Sequence, residues 1–188
     1  QSNINQFGAL AMAGCGSYSK IEGFGFIPVT CFSQALTTFI GQNLGAKEYD
    51  RTKKGALFGT ICGIGIAEVI GIAVFFFSPY LIAAFGGDQK AIEYGIAEAH
   101  TIALFYCLLA FSHCMAAIQR GAGRSIVPMF VMMLVWCGVR VTYISIVIRI
   151  IPVINVIYWA YPLTWFISSV IFLILFLKTD WIHGLEKQ

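Results

Sequence analysis

The stretch KIEGFGFIPVTCFSQALTTFIGQNLGAKEYDRTKKG, Lys20 to Gly55, decides the fold. From Ile21 to Ile40 it is apolar apart from Glu22 and scattered hydroxyl and amide residues, and it then runs through the turn GQNLGAK into Arg51, Lys53 and Lys54. About 20 apolar residues in a helix, rising about 1.5 Å each, cross the ~30 Å hydrocarbon layer of a membrane. Short loops rich in Lys and Arg stay on the cytoplasmic side. Lys47, Arg51, Lys53 and Lys54 form the densest basic cluster in the chain, so this helix leaves the bilayer on its inner face. Pro28 removes one backbone hydrogen bond and is expected to bend the helix mid-membrane.

Working outward, the same pattern repeats. The apolar runs predict spans over about 14–44, 55–77, 91–118, 126–150 and 156–177. The link FGGDQK after the second run has few charges, as an outer loop should, whereas QRGAGRS after the third carries Arg120 and Arg124. Lys178 and Lys187 follow the last run and put the C-terminus inside, against Lys20, Lys90 and Arg149 outside. Trp159, Tyr158 and Tyr161 at one end of the last span and Trp181 at the other read either as an aromatic belt or as helix packing.

Composition agrees. The chain is 59% hydrophobic and 11% charged, with mean hydropathy +0.80, whereas soluble domains average about 45–50% apolar and about 25% charged residues. The net charge of +3 is accounted for by membrane topology and does not imply nucleic acid. The six cysteines form no CxxC and mostly lie in apolar runs, implying neither disulfides nor metal. No GxSxG, HExxH or DxD motif accompanies the spans, so an enzyme is not expected. The chain opens at Gln1 with no initiator Met, basic n-region or cleavage site, and is expected to be a fragment of a longer protein.

Ionisable groups within hydrocarbon cost about 2.5–3.5 kcal/mol each on insertion scales and usually face an interior or a wet cavity. Here they are Glu22, Glu68, Glu98, His100, His113 and Arg140. A carboxylate in a low-dielectric cavity can exchange a proton for a cation, which makes Glu22 the first candidate. Val29 and Ser33 lie within about 20° of it around the helix, and Thr30, Gln34, Thr37 and Gly41 form an adjacent polar stripe. Alternatively, Glu22 pairs with Lys20 at the outer interface and the hydroxyls serve as interhelical glue. Glu68 and Arg140 fall at similar depth and are expected to form a structural ion pair. Glu98, with Thr101, Phe105, Leu109 and Ser112 on its face, either attracts cations at an outer mouth or sits among headgroups. His100 and His113 fall on opposite faces of one helix, cannot share a metal, and are expected to be buried and neutral. Phe24, Phe26, Tyr106, Tyr161 and Trp165 are candidates to present ring faces to an organic cation.

Three motifs carry a family resemblance. Lys20–Gly55 resembles the signature region of MATE (multidrug and toxic compound extrusion) transporters, QRGAGRSIVPM (Gln119 to Met129) resembles their RGxG-x-S/T-x-x-P loop, and YPLTW (Tyr161 to Trp165) resembles their last helix. The resemblance implies an all-α integral membrane fold, with five helices corresponding to helices eight to twelve of a twelve-helix, two-lobed transporter. KIEGFGFIP is most similar to the MepA-like branch. A NorM-like protein has a carboxylate about three turns before the loop arginine, where this chain has Leu109.

The function so implied is antiport of organic cations against H+ or Na+, without a cofactor, in a bacterial inner membrane. The partners are the N-terminal lobe and the lipid bilayer. The site residues are Glu22, Thr30, Gln34, Glu98, Tyr161 and Trp165, with Glu68 and Arg140 paired structurally. The alternatives are a lipid-linked saccharide flippase, which would need a strongly basic cavity, and a non-transporting structural membrane protein.

Overall fold

The computed structural model describes residues 4–182, so Lys187 lies outside the described residues. Among the described residues five helices are long and apolar enough to cross a membrane: Ala9–Gly45, Tyr49–Ala84, Gln89–Gly121, Ile126–Ile150 and Asn155–Lys178. There is no strand among the described residues. The all-helical, five-span reading therefore holds, but the first two helices outrun their predicted limits. At about 1.5 Å per residue, the 36 residues of the second helix extend well beyond a ~30 Å hydrocarbon layer. Arg51, Lys53 and Lys54 consequently sit in its first turns, not in a loop, and Pro79 lies inside its far end. Apolarity measured the thickness of the membrane, whereas backbone hydrogen bonding continues into the aqueous margins.

The turns follow from local chemistry. Lys47 adopts φ 60 between the first two helices, where the Glu48 amide donates to the Asn43 carbonyl at 2.9 Å. Asp88 caps the third helix by accepting from the Lys90 amide at 2.9 Å.

The third span is the axis of the bundle, packing against the first, second and fifth. Its helix is interrupted by a 3-10 turn at Ala103–Phe105. The fourth span packs chiefly on the fifth and carries a π-helical stretch at Met133–Val139. Small residues bring the axes together. A Cβ on Gly14 would collide with the Ala91 carbonyl, one on Gly95 would stand 2.8 Å from the Gly14 oxygen, and one on Gly121 would stand 2.7 Å from the Thr37 oxygen.

The bundle is apolar outside and partly polar within, as a lipid solvent demands. Phe24, Phe58, Phe76 and Leu177 are exposed, while Ser33, Ser112, Thr164 and Ser168 are buried. Ser112 Oγ lies 2.8 Å from Ser168 Oγ and 3.1 Å from Ser169 Oγ, and Trp136 Nε1 donates to Ser168 at 3.2 Å. That knot ties the third, fourth and fifth spans together.

The basic segments share one end. Thr37 Oγ1 donates to the Ala117 carbonyl at 3.3 Å, which aligns the exits of the first and third spans, and Arg124 donates to the Asp180 carbonyl at 2.8 Å. At the opposite end Lys20 lies over the Phe85 ring, 5.3 Å from its centroid. Tyr158 belongs to neither belt nor surface: it is fully buried and its hydroxyl donates to the Tyr94 carbonyl at 3.3 Å.

Candidate functional site

The first span turns Glu22 and Phe26, one helical turn apart, toward the fourth and fifth spans across a chamber of about 300 Å³. Ser19 and Gly23 complete that wall, and space is left because a Cβ on Gly23 would meet nothing within 4 Å. Trp136 and Arg140 enter from the fourth span, Tyr161 and Trp165 from the fifth, and Leu109 forms part of the floor from the third. The aromatic walls are braced edge to face: the Tyr161 and Trp165 centroids are 6.1 Å apart at 75°, and those of Tyr106 and Trp165 are 6.2 Å apart.

Arg140 is held on one side of this space. Its Nη2 and Nε donate to Thr164 Oγ1 at 2.7 and 3.2 Å, and its guanidinium carbon stands 4.2 Å from the Tyr161 centroid. Thr164 passes its own hydroxyl proton to the Ala160 carbonyl at 2.9 Å, which leaves its oxygen free to accept. Glu22 and Arg140 thus face one largely aromatic chamber with opposite charges and attract one another.

Glu98 occupies a different compartment. It is only 3% exposed and its Oε2 has no hydrogen-bond partner. Cys15 interacts with it and lies 3.5 Å from the Tyr158 hydroxyl. The close crossing of Gly14 with Ala91 and Gly95 closes this region, and Glu98 does not line the chamber. Tyr18 and Tyr106, whose hydroxyls are 3.1 Å apart, interact electrostatically with both carboxylates.

The expected pair of Glu68 and Arg140 is corrected. The Glu68 carboxylate instead accepts from the Cys107 amide at 3.1 Å, where the third span resumes α-helix after its 3-10 turn. That amide is exposed by the interruption, and a carboxylate is a strong acceptor for it. Equal depth did not mean equal azimuth.

Thr30 and Gln34 also stay out of the chamber. The Thr30 hydroxyl donates to the Ile27 carbonyl of its own helix at 2.8 Å, and Gln34 is exposed. Thr37 and Ser33 bond to the third span, Ser33 donating to the His113 carbonyl at 3.4 Å and accepting from Arg120 at 3.2 Å. His100 is exposed, not buried: it stacks on Phe75 with centroids 4.3 Å apart because it lies on the outward face of the third span. His113 lies between Phe26 and Trp136, its ring centroid 5.0 and 5.4 Å from theirs, with Nε2 buried and unbonded. Phe24 is 72% exposed, on a face that none of the other described spans covers.

Of the residues the sequence singled out, Glu22, Tyr161 and Trp165 come together around the chamber, Arg140 joins them with Thr164 and not Glu68 as its partner, and Trp136 lines the same space without having been named. The signal for Trp136 was its position one turn before Arg140. Among the described residues no group of three or more His, Cys, Asp or Glu could hold a metal ion.

The pattern that defines the MatE family matches residues 2–144. The chain belongs to that family. MATE relatives include the Probable multidrug resistance protein NorM of Thermotoga maritima, 30% identical over 66% of this chain and 27% of the relative. The Probable multidrug resistance protein YoeA of Bacillus subtilis is 24% identical over 74% of this chain and 30% of the relative. The solved MATE transporter ClbM in complex with Rb+ superposes with TM-score 0.84 at 18% identity, over 94% of this chain and 42% of that one. The five-helix bundle is therefore a MATE-type lobe, and the chain spans under a third of the curated relatives it matches and under half of the matched structure. Relatives and fold are those of transporters, not of enzymes.

Proposed function

We propose that this lobe is the C-terminal half of a secondary transporter that exports organic cations against H+ or Na+. The observation that carries the reading is the chamber in which Glu22 and the aromatic rings of Trp136, Tyr161 and Trp165 surround space large enough for part of a ligand. A carboxylate supplies charge attraction and ring faces add roughly 0.5–2 kcal/mol per contact with a cation. The multidrug resistance names of the relatives agree with such cargo.

Arg140 supplies the coupling. It already rests on the Tyr161 ring opposite Glu22, in the manner of a tethered cation. An incoming cation must share or replace its attraction to Glu22, so occupancy of the chamber and the position of Arg140 are linked. A ligand that favours one arrangement shifts the lobe toward it. Leu109 sits in the chamber where a NorM-like acid would stand, which supports coupling centred on Glu22 and placement in the MepA-like branch. The second lobe then covers the exposed face bearing Phe24 and Gln34, and the shared basic end faces the cytoplasm of a bacterial cell. A strongly basic cavity, as a saccharide flippase needs, is not what the chamber offers: its one arginine faces an acid.

The test uses proteoliposomes of the full-length protein that contains this lobe. An imposed proton or sodium gradient should drive uptake of a fluorescent organic cation, and Glu22→Gln should abolish it. Gradient-independent dye levels, or wild-type uptake by Glu22→Gln, would overturn the proposal.

A further inference from the structure

A second cavity lies on the far side of the third span from the chamber. It has a volume of about 500 Å³ and opens between the second and fifth spans, with Phe111, Met115 and Ile118 of the third span as its floor. Around a helix, Ile118 is about 180° from Leu109 and Phe111 about 160°, so this groove does not communicate with the chamber. Leu57 forms one wall, and Phe176 and Trp181, stacked with centroids 5.2 Å apart, form the other.

Polarity is confined to the second span's wall. Thr60 is buried and spends its hydroxyl on the Ala56 carbonyl at 2.8 Å. Among the described residues Lys53 is the one charged group facing the groove, at the basic end of the bundle. From Lys53 to Thr60 the groove runs for seven residues of helix, roughly 10 Å. Trp181 beside the mouth suits the depth of a membrane interface.

A lysine at the headgroup level above a narrow apolar slot matches one kind of molecule by charge and by shape. We propose that this groove is a specific site for an anionic phospholipid of the inner leaflet, with the phosphate on the Lys53 ammonium and one acyl chain against Met115, Leu173 and Phe176. The assignment rests on the orientation given above but not on the transport reading. Zwitterionic lipid would fill the slot equally well and lose the preference that the lysine confers, since its headgroup carries no net charge.

The experiment is lipid retention by the purified full-length protein, read by native mass spectrometry after exchange into detergent with phosphatidylglycerol or phosphatidylcholine, alongside thermal shift. Wild type should retain phosphatidylglycerol preferentially, and Lys53→Gln should reduce that preference about fivefold, the effect of one basic residue near the membrane surface. Lys53→Arg should keep it. Leu173→Trp, at a half-exposed wall position, should lower retention of both lipids by filling the slot. Equal retention of the two lipids by wild type, or an unchanged preference in Lys53→Gln, overturns the proposal. A thermal shift of equal size with inorganic phosphate alone would also overturn it, because the chain would then play no part.

Discussion

Glu22 and Glu98 are two acids within one lobe that act on the same pair of tyrosines, Tyr18 and Tyr106, and yet their surroundings are opposite. Beside Glu22 a glycine leaves empty space, for nothing approaches the Cβ position of Gly23. Near Glu98 the glycines do the reverse: Gly14 and Gly95 let two backbones meet and seal the carboxylate in. The same residue type opens one compartment and closes the other. What separates the acid that lines the chamber from the one enclosed by packing is thus how closely the neighbouring helix approaches it.

The largest test of this contrast is functional. In the full-length protein Glu22→Gln should bring gradient-driven dye uptake down to that of empty liposomes, whereas Glu98→Gln, which keeps the shape of the side chain, should transport within about twofold of wild type, a difference of well under 1 kcal/mol. Equal losses in the two variants would show that the compartments work as one.

The next test concerns the seal. Gly95→Val forces side-chain atoms against the Gly14 carbonyl and Ile82, and such overpacking costs about 1–3 kcal/mol. At about 2–4 °C per kcal/mol for a chain of this size, the melting temperature should fall by several degrees. Gly23→Ala, placed in open space, should leave it unchanged. If Gly23→Ala is the more damaging, the assignment of open and closed sides is reversed.

A smaller effect is expected at the arginine. Arg140→Lys keeps the charge but loses the flat contact with Tyr161 and one of two bonds to Thr164. If the arginine competes with cargo for Tyr161, weakening its hold by roughly 0.5–1 kcal/mol should tighten dye binding by about two- to fivefold, measured by fluorescence titration. Weaker binding would instead make Arg140 a part of the wall that supports the cargo.

Much of the fold was legible because a membrane imposes it. Apolar length reported the spans, and the basic residues near Lys53, Arg120 and Lys178 sorted the ends, since both signals are local to one helix. The candidate site was legible only where one helix sufficed. Glu22 and the Tyr161–Trp165 pair could be placed by periodicity, but partners depend on rotation about each axis, and that is where Glu68 and Arg140 were mismatched. Trp136 lies in the π-helical stretch Met133–Val139, whose wider turn shifts the phase that a regular helix would give. The 3-10 turn at Ala103–Phe105, which freed an amide for Glu68, carries no Pro or Gly to announce it.

The smallest expected effect lies beneath the chamber. Ser112 is one turn below Leu109 and binds Ser168 and Ser169 of the fifth span. Ser112→Ala removes those bonds but leaves neither partner destitute, because Ser169 still donates to the Leu108 carbonyl at 3.1 Å and Ser168 still accepts from Trp136. Hydrogen bonds between membrane helices average about 0.6 kcal/mol, so the melting temperature should drop by only about 1–3 °C and dye uptake should persist. A loss of transport as deep as that of Glu22→Gln, without a matching loss of stability, would mean that the joint between the third and fifth spans moves during the cycle. The chamber floor would then have to be counted with the open compartment rather than with the rigid core.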